Sequence, residues 1–314
     1  MINFLYAFDK NYNTQAFVSI YSVLQNVTEK INLYLILDDT NIEISIPSKI
    51  KYHNRLNSII IKKIDINEKL YNLKDSHVSK ATYYRLFLSE LFDDKELKFV
   101  YLDADIICVN NPLLLIKNEF EEMSNLNKFI GFADELHRKQ YSEPFDRLNM
   151  KSDKYFNAGV MLVDLLIWDK NNITTKSLNA INDLKNKVKF WDQDVLNSII
   201  DGNYLSLDSK LNYRTSFFDR DKNINNLIFV HYSGKNKPWD IGGIVEEFSN
   251  EYQIYFSYLF GKRYHLVCKN RLNSLKKLFK NLVRIYKHQN LNFFKYFYES
   301  IIVIIKKESY HSFP

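Results

Sequence analysis

The chain has 314 residues, 46% hydrophobic and 15% aromatic, enough apolar material for one large domain and too much for a disordered chain. Its two cysteines, Cys108 and Cys268, supply neither a disulfide framework nor a thiolate metal site, which fits a reducing compartment. The net charge of +6 is concentrated: twelve Lys or Arg between residues 262 and 308 face only Glu299 and Glu308, so this stretch carries +10 and the remainder is acidic.

The opening MINFLYAFDKNY lacks the basic region, long apolar core and cleavage site of a signal peptide. The late apolar run Ile301 to Ile305 falls far short of the roughly 18 to 20 residues of a spanning helix. A cytoplasmic protein is expected.

In chain order, Ile2 to Phe8 reads as a buried strand, Thr14 to Gln25 as a helix with apolar residues at helical spacing, and Asn32 to Leu37 as a second strand. That is the start of a βαβ unit. Strands are predicted at Ser58 to Lys62, Leu97 to Leu102 and Ile130 to Ala133, with a helix at Ala81 to Leu91. FNAG at 156 to 159 reads as a turn, after which Leu162 to Trp168 continues the core. Asp192 to Ile200 reads as a helix, and Leu227 to Val230 as a last strand running into HYSG. The alternation predicts an α/β fold around a mostly parallel sheet flanked by helices, with the ligand crevice at the carboxyl ends of the strands. Beyond residue 248 the character changes. No glycine follows Gly261, and Leu272, Leu275, Leu278, Phe279, Leu282, Val283, Ile285 and Tyr286 recur at helical spacing among lysines. The expected division is a catalytic domain over 1–248 and a small basic helical region over 249–314.

The strongest local signal is FVYLDADIICVNNP at 99 to 112. An apolar strand delivers Asp103 and Asp105 at its end, and residues two apart in extended backbone point the same way. Paired oxygen donors suit a hard divalent cation such as Mg²⁺ or Mn²⁺, which bridges to phosphates.

The order YLDAD, FNAG, DQDVLN at 192 to 197 and HYSGKNKPW at 231 to 239 resembles glycosyltransferase family 8, retaining enzymes of the Rossmann-like GT-A fold. Within that family the likeness is to bacterial lipooligosaccharide and lipopolysaccharide α-galactosyltransferases. It spans about residues 2 to 240 and implies a UDP-sugar donor and a saccharide or glycolipid acceptor of a bacterial surface glycan. By resemblance, Ala7, Asp9, Asn11 and Tyr12 hold the uridine, Arg85 lies near the diphosphate and sugar, and Ala104 approaches the ribose. Asp103, Asp105 and His231 become metal ligands. An imidazole added to two carboxylates moves preference from Mg²⁺ toward Mn²⁺. Gly234 and Lys237 meet phosphate, while Asn157, Ala158, Asp192, Gln193 and Asp134 surround the transferred sugar. Without the resemblance, Asp9 is a cap or turn residue, Arg85 a surface ion-pair partner, His231 a structural residue and Asp192 a helix cap. Gln193 is placed beside the anomeric carbon. A neutral amide is a poor nucleophile, so same-face attack by the acceptor with retention of α configuration is expected. One departure stands out: the family usually has His after KPW, and here Asp240 follows, toward the acceptor side.

The basic tail interleaves Lys and Arg with aromatic and aliphatic residues, the pattern of helices lying on an anionic membrane surface. No recognised nucleic-acid motif accompanies it. The expected location is therefore peripheral, at the inner face of the cell membrane. Two other readings compete. Haloacid-dehalogenase-like phosphatases also place Asp-x-Asp after an apolar strand, but usually open the domain with it. A non-catalytic nucleotide-sugar or glycan binder would need the same pocket.

Overall fold

The computed structural model describes residues 1–38, 46–65, 80–184, 187–215, 223–285 and 292–306. Tyr286, Lys287, Lys307 and Glu308 of the expected tail lie outside them, as do the side chains of Val283 and Ile285.

The chain begins β1 (Asn3–Ala7), α1 (Asn13–Asn26), β2 (Ile31–Asp38), α2 (Ser48–Lys51) and β3 (Leu56–Ile64). A 3-10 helix over Lys80–Phe87 leads into α3 (Leu88–Leu91), so the single helix expected at 81 to 91 is split. Then come β4 (Lys98–Leu102), β5 (Ile106–Cys108), α4 (Leu113–Asn125), β6 (Ile130–His137), α5 (Glu143–Arg147) and β7 (Lys154–Asp164). After α6 (Leu165–Lys170), α7 (Ile173–Leu184) and α8 (Trp191–Ile200) follow the short strands β8 (Leu205–Ser206), β9 (Tyr213–Arg214) and β10 (Phe229–His231). The chain closes with α9 (Ser249–Phe260), α10 (Arg271–Ile285) and α11 (Phe293–Lys306).

The main sheet runs β3-β2-β1-β4-β7-β6-β8. β1, β2, β3 and β4 are mutually parallel, and β7 runs against both β4 and β6. Alternation along each strand sorts side chains to two faces. Phe4, Tyr6, Val100 and Leu102 join the core beneath α1, whereas Leu5, Phe99 and Tyr101 join the opposite core beneath the 3-10 helix, α7 and α8. Helices thus cover both faces, as expected for a mostly parallel sheet.

FNAG is not a turn. Residues 156 to 159 lie within β7, where Asn157 pairs with Ala133. The Asn and Gly that mimic turn chemistry sit in mid-strand instead. Nor does the last expected strand join the main sheet. β10 pairs antiparallel with β5 and parallel with β9 in a second, three-stranded sheet.

Beyond residue 248, Tyr252, Phe256 and Leu259 of α9 enter the core shared with α1. In a third cluster, Leu278 of α10 and Tyr296, Val303 and Ile304 of α11 close over Ile241, Ile244 and Val245. Among the described residues no helix is long and apolar enough to cross a membrane.

Candidate active site

The small sheet explains how residues far apart in sequence meet. Its register sets His231 opposite Ile106, and the Tyr232 amide donates to the Asp105 carbonyl at 3.0 Å. Asp103 and Asp105, just past β4, are thereby brought under the imidazole. One ligand atom from each of Asp103, Asp105 and His231 lies within 4.8 Å of the others, the one such cluster among the described residues. His231 Nε2 is 3.4 Å from Asp105 Oδ1. The donor set, two carboxylates and an imidazole, fits a divalent cation. Gly159 of FNAG lies against the ring: a Cβ there would stand 2.4 Å from His231 Cε1, so only glycine leaves room for the imidazole.

Arg85 is no surface residue. It is buried, with Nη2 2.7 Å from Asp103 Oδ1, Nε 2.9 Å from Asp192 Oδ2 and Nη1 donating to the Ala158 carbonyl at 2.5 Å. Its guanidinium also lies over the Tyr101 ring at 4.3 Å, and the Tyr101 hydroxyl donates to Asp103 at 2.8 Å. Burial works against the charge on Arg85, but Asp103 and Asp192 outweigh it and raise its pKa. Removing Arg85 would strand the buried Asp192 carboxylate and the half-buried Asp103, a loss of about 3–5 kcal/mol.

The carboxylates differ. Burial raises the Asp103 pKa against the pull of Arg85, with Asp105 adding like-charge repulsion. Burial also acts on Asp105, but Lys237 and His231 overcome it and hold its pKa well below the ordinary value. Asp192 is pushed up to about 7 by burial, opposed by Arg85 and reinforced by Asp103. Lys237 Nζ lies 2.5 Å from Asp105 Oδ2 and 2.6 Å from the Tyr232 carbonyl. Its turn is tight: a Cβ on Gly243 would stand 2.0 Å from the Lys237 carbonyl oxygen. Gly234, at the start of the same loop, has φ +88°, open to glycine without strain.

The end of β1 faces this loop. Ala7 is buried, and Asp9 caps the short 3-10 helix Lys10–Tyr12, accepting from the Asn11 amide at 2.8 Å. Tyr12 meets Trp239 edge-on at 6.5 Å. Burial, then Asp105, Asp9 and Asp103, push its phenol up to about 12, which sets Tyr12 beside the acidic pair. Ala104, between the two aspartates, is buried.

Next to the acidic pair lies an amide cluster. Gln193 Oε1 accepts from Asn157 Nδ2 and the Ala158 amide, both at 3.1 Å, and its Nε2 donates to Glu135 at 2.9 Å and Tyr155 at 3.2 Å. Asp192 belongs to the Arg85 group, while Asp194 binds Arg147, Tyr155 and the amides of Lys189 and Phe190, holding the approach to α8. The structure does not bring Asp134 to this cluster. Its carboxylate accepts from Tyr204 at 2.5 Å and Ser206 at 3.1 Å. A register shift between Asp134 and Leu136 turns Glu135 inward, where it meets Asn157, Gln193 and the Arg214 guanidinium. Glu135, Arg214, Asn212, Tyr101 and Tyr155 were not singled out from the sequence. A glutamate beside the flagged aspartate is the nearest thing to a signal, and the bulge decides between them. Asp240 forms an ion pair with Lys277 of α10, which ties the residue after KPW to the C-terminal helices.

Known proteins resemble this chain over most of its length. The profile for "Glycosyl transferase family 8" matches residues 3–242. The chain is similar to lipopolysaccharide 1,3-galactosyltransferase of Salmonella typhimurium, 29% identical over 253 residues, covering 77% of this chain and 74% of that protein. It is 30% identical over 253 residues to lipopolysaccharide 1,2-glucosyltransferase of Escherichia coli, covering 76% of this chain and 72% of the other. Among solved structures, galactosyltransferase LgtC in complex with donor and acceptor sugar analogues matches with a TM-score of 0.69 at 20% identity, covering 87% of this chain and 100% of that one. That likeness identifies the fold as GT-A. With the family profile running through both aspartates and His231, the chain is a glycosyltransferase and belongs to glycosyl transferase family 8.

Proposed function

We propose that the protein transfers a hexose, galactose or glucose, from a UDP-sugar to a saccharide acceptor of a bacterial surface glycan, forming an α-linkage. The observation that carries this reading is the convergence of Asp103, Asp105 and His231 within 4.8 Å, with the Lys237 ammonium alongside. Among the described residues, Asp103, Asp105 and Asp192 face two fixed cations, Arg85 and Lys237, and a divalent cation reverses that deficit. Mn²⁺, or Mg²⁺, held by the three ligands would stabilise the negative charge that develops on a departing diphosphate.

The chain's own residues divide the remaining work. The end of β1, with Ala7, Asp9, Asn11 and Tyr12, receives the uridine, and Ala104 lies toward the ribose. Lys237, Gly234 and Arg85 meet the diphosphate. Asn157, Ala158, Asp192 and Gln193 line the sugar, with Glu135 in the position expected of Asp134. Both ends of the Gln193 amide are engaged by hydrogen bonds, which supports a flanking role and same-face attack by the acceptor rather than a covalent glycosyl intermediate.

Residues 1–248 form the catalytic unit in this reading, and 249–314 dock it at the inner face of the membrane where a glycolipid acceptor resides. α10 exposes Leu272 and Phe279 beside Lys276 and Lys280, and α11 exposes Phe294, Tyr298 and Ile305. Apolar side chains flanked by lysines suit an anionic lipid surface.

The deciding experiment measures UDP release from UDP-galactose, UDP-glucose and their N-acetyl forms. Turnover of one hexose donor with Mn²⁺, falling to background in excess EDTA, is expected. Full activity in chelator sinks the metal assignment, and a β-linked product by NMR sinks retention.

A further inference from the structure

The amide cluster beside the sugar site continues to the metal ligands. We infer that Asn212 is a positioning residue that holds His231 in the one tautomer able to bind a metal, and that its orientation is dictated through Asn157 by groups of fixed hydrogen-bond polarity. The inference deepens the metal reading and rests on it.

A neutral imidazole has one N–H and one bare nitrogen, and only the bare nitrogen can ligate. His231 turns Nε2 toward Asp105, at 3.4 Å, and Nδ1 toward Asn212, at 3.0 Å. Ligation through Nε2 therefore requires the proton on Nδ1, and hence an acceptor on Asn212. An asparagine offers an oxygen at one corner and an NH₂ at the other, so its neighbours must decide which faces the ring.

They do so in two links. One corner of the Asn157 amide receives the Gly159 backbone N–H at 3.0 Å, a group that only donates, so that corner is oxygen. The other lies 3.2 Å from a carboxylate oxygen of Glu135, which in ionised form only accepts, so it is the NH₂. Gln193 agrees: its oxygen takes the Ala158 N–H at 3.1 Å and its NH₂ faces Glu135 at 2.9 Å. With Asn157 Oδ1 established as an acceptor, Asn212 must present its NH₂ there, at 2.9 Å. Its carbonyl oxygen is left to accept from His231 Nδ1, which leaves Nε2 for a metal ion shared with the carboxylates. A flipped Asn212 would set oxygen against oxygen. Both asparagines are buried, so water cannot readily repair a mismatch. One directional chain, Glu135 to Asn157 to Asn212 to His231, thus spans the sugar and metal sides of the site.

The test uses the full-length protein with ¹⁵N-labelled histidine. In wild type loaded with diamagnetic Zn²⁺ as a probe, the His231 resonances should show the proton on Nδ1 and the metal on Nε2. Mn²⁺ affinity is then measured by calorimetry for wild type, Asn212→Leu and Asn212→Asp, with folding checked by circular dichroism. Asn212→Leu removes the acceptor at similar volume and should weaken Mn²⁺ binding by roughly 10- to 100-fold, the usual cost of losing a ligand's hydrogen-bond partner. Asn212→Asp restores an acceptor and should keep both the tautomer and Mn²⁺ affinity within a few-fold of wild type. It loses the NH₂ that meets Asn157 and so should weaken UDP-sugar binding relative to UDP. A metal on Nδ1 with the proton on Nε2 in Zn²⁺-loaded wild type, or wild-type Mn²⁺ affinity in Asn212→Leu, overturns the inference. If Asn212→Leu does not fold, loss of the Nδ1–H tautomer in Asn212→Asp overturns it equally. Failure of wild type to bind Mn²⁺, with or without UDP, is a different result: the metal reading falls, and the ligand role of the chain with it.

Discussion

Gly159→Ala puts the site's geometry at risk through a single methyl group. The backbone at Gly159 is not in the left-handed region, so alanine costs nothing in conformation and its effect is steric. The new Cβ would stand 2.4 Å from His231 Cε1, 2.7 Å from Nδ1 and 3.0 Å from Asn157 Oδ1. Carbon atoms rest at about 3.5 Å or more, so the imidazole must retreat by about 1 Å. Metal–ligand distances tolerate about 0.2 Å, and the ring cannot retreat that far and still ligate. Mn²⁺ affinity should fall by about 10- to 100-fold or more, with an overpacking loss of about 1–3 kcal/mol in stability. Calorimetry with Mn²⁺ and urea unfolding measure the two effects separately. Gly131→Ala is the control. Its Cβ meets Leu207 Cδ2 at 2.7 Å, the end of a flexible side chain, so it should cost some stability while leaving metal binding intact. A Gly159→Ala protein that binds Mn²⁺ like wild type would refute the placement of His231.

Asp192, with its pKa pushed up to about 7 by burial, should imprint itself on stability. Between its ordinary value of 3.8 and about 7 the unfolded chain releases this proton and the folded protein keeps it, so stability falls as pH rises through that window. In metal-free protein, urea midpoints from pH 4 to 8 should decline more steeply for wild type than for Asp192→Asn, by up to about 4 kcal/mol in total; parallel curves would contradict it. On α11, the exposed pair Phe294 and Tyr298 replaced by glutamate should abolish cosedimentation with anionic liposomes and leave UDP-sugar binding unchanged. Undiminished cosedimentation removes the membrane reading.

The sequence exposes what is periodic and hides what is decided by register. β1, α1 and β2 are legible because their apolar spacing matches 2.0 and 3.6 residues, and the DxD pair because it ends an apolar strand. FNAG misleads, since the chemistry that makes Asn and Gly good turn residues also suits a strand whose glycine must admit a ring from elsewhere. Asp134 and Glu135 are indistinguishable in sequence. A bulge in β6, set by pairing with β7, sends the second one inward. Asn212 sits in KLNYR with no motif around it, and its importance arises only from what β9 and β10 bring beside it. Apart from the family likeness, Arg85 reads as an ordinary surface cation until the Asp103 and Asp192 carboxylates and the Ala158 carbonyl appear around it.

The clasp between the tail and the loop after Lys237 bears on how the protein could be re-engineered. Lys277 grips Asp240, Asn281 and Tyr296 both donate to the Ile241 carbonyl, and Arg284 holds Glu246. Truncation at residue 270 would therefore unroof Ile241, Ile244 and Val245 a few positions from Lys237, which holds Asp105. A chimera with a foreign C-terminal segment would keep the loop after Lys237 in place only by carrying over the inner side of α10 and α11, leaving the outer side alone open to redesign.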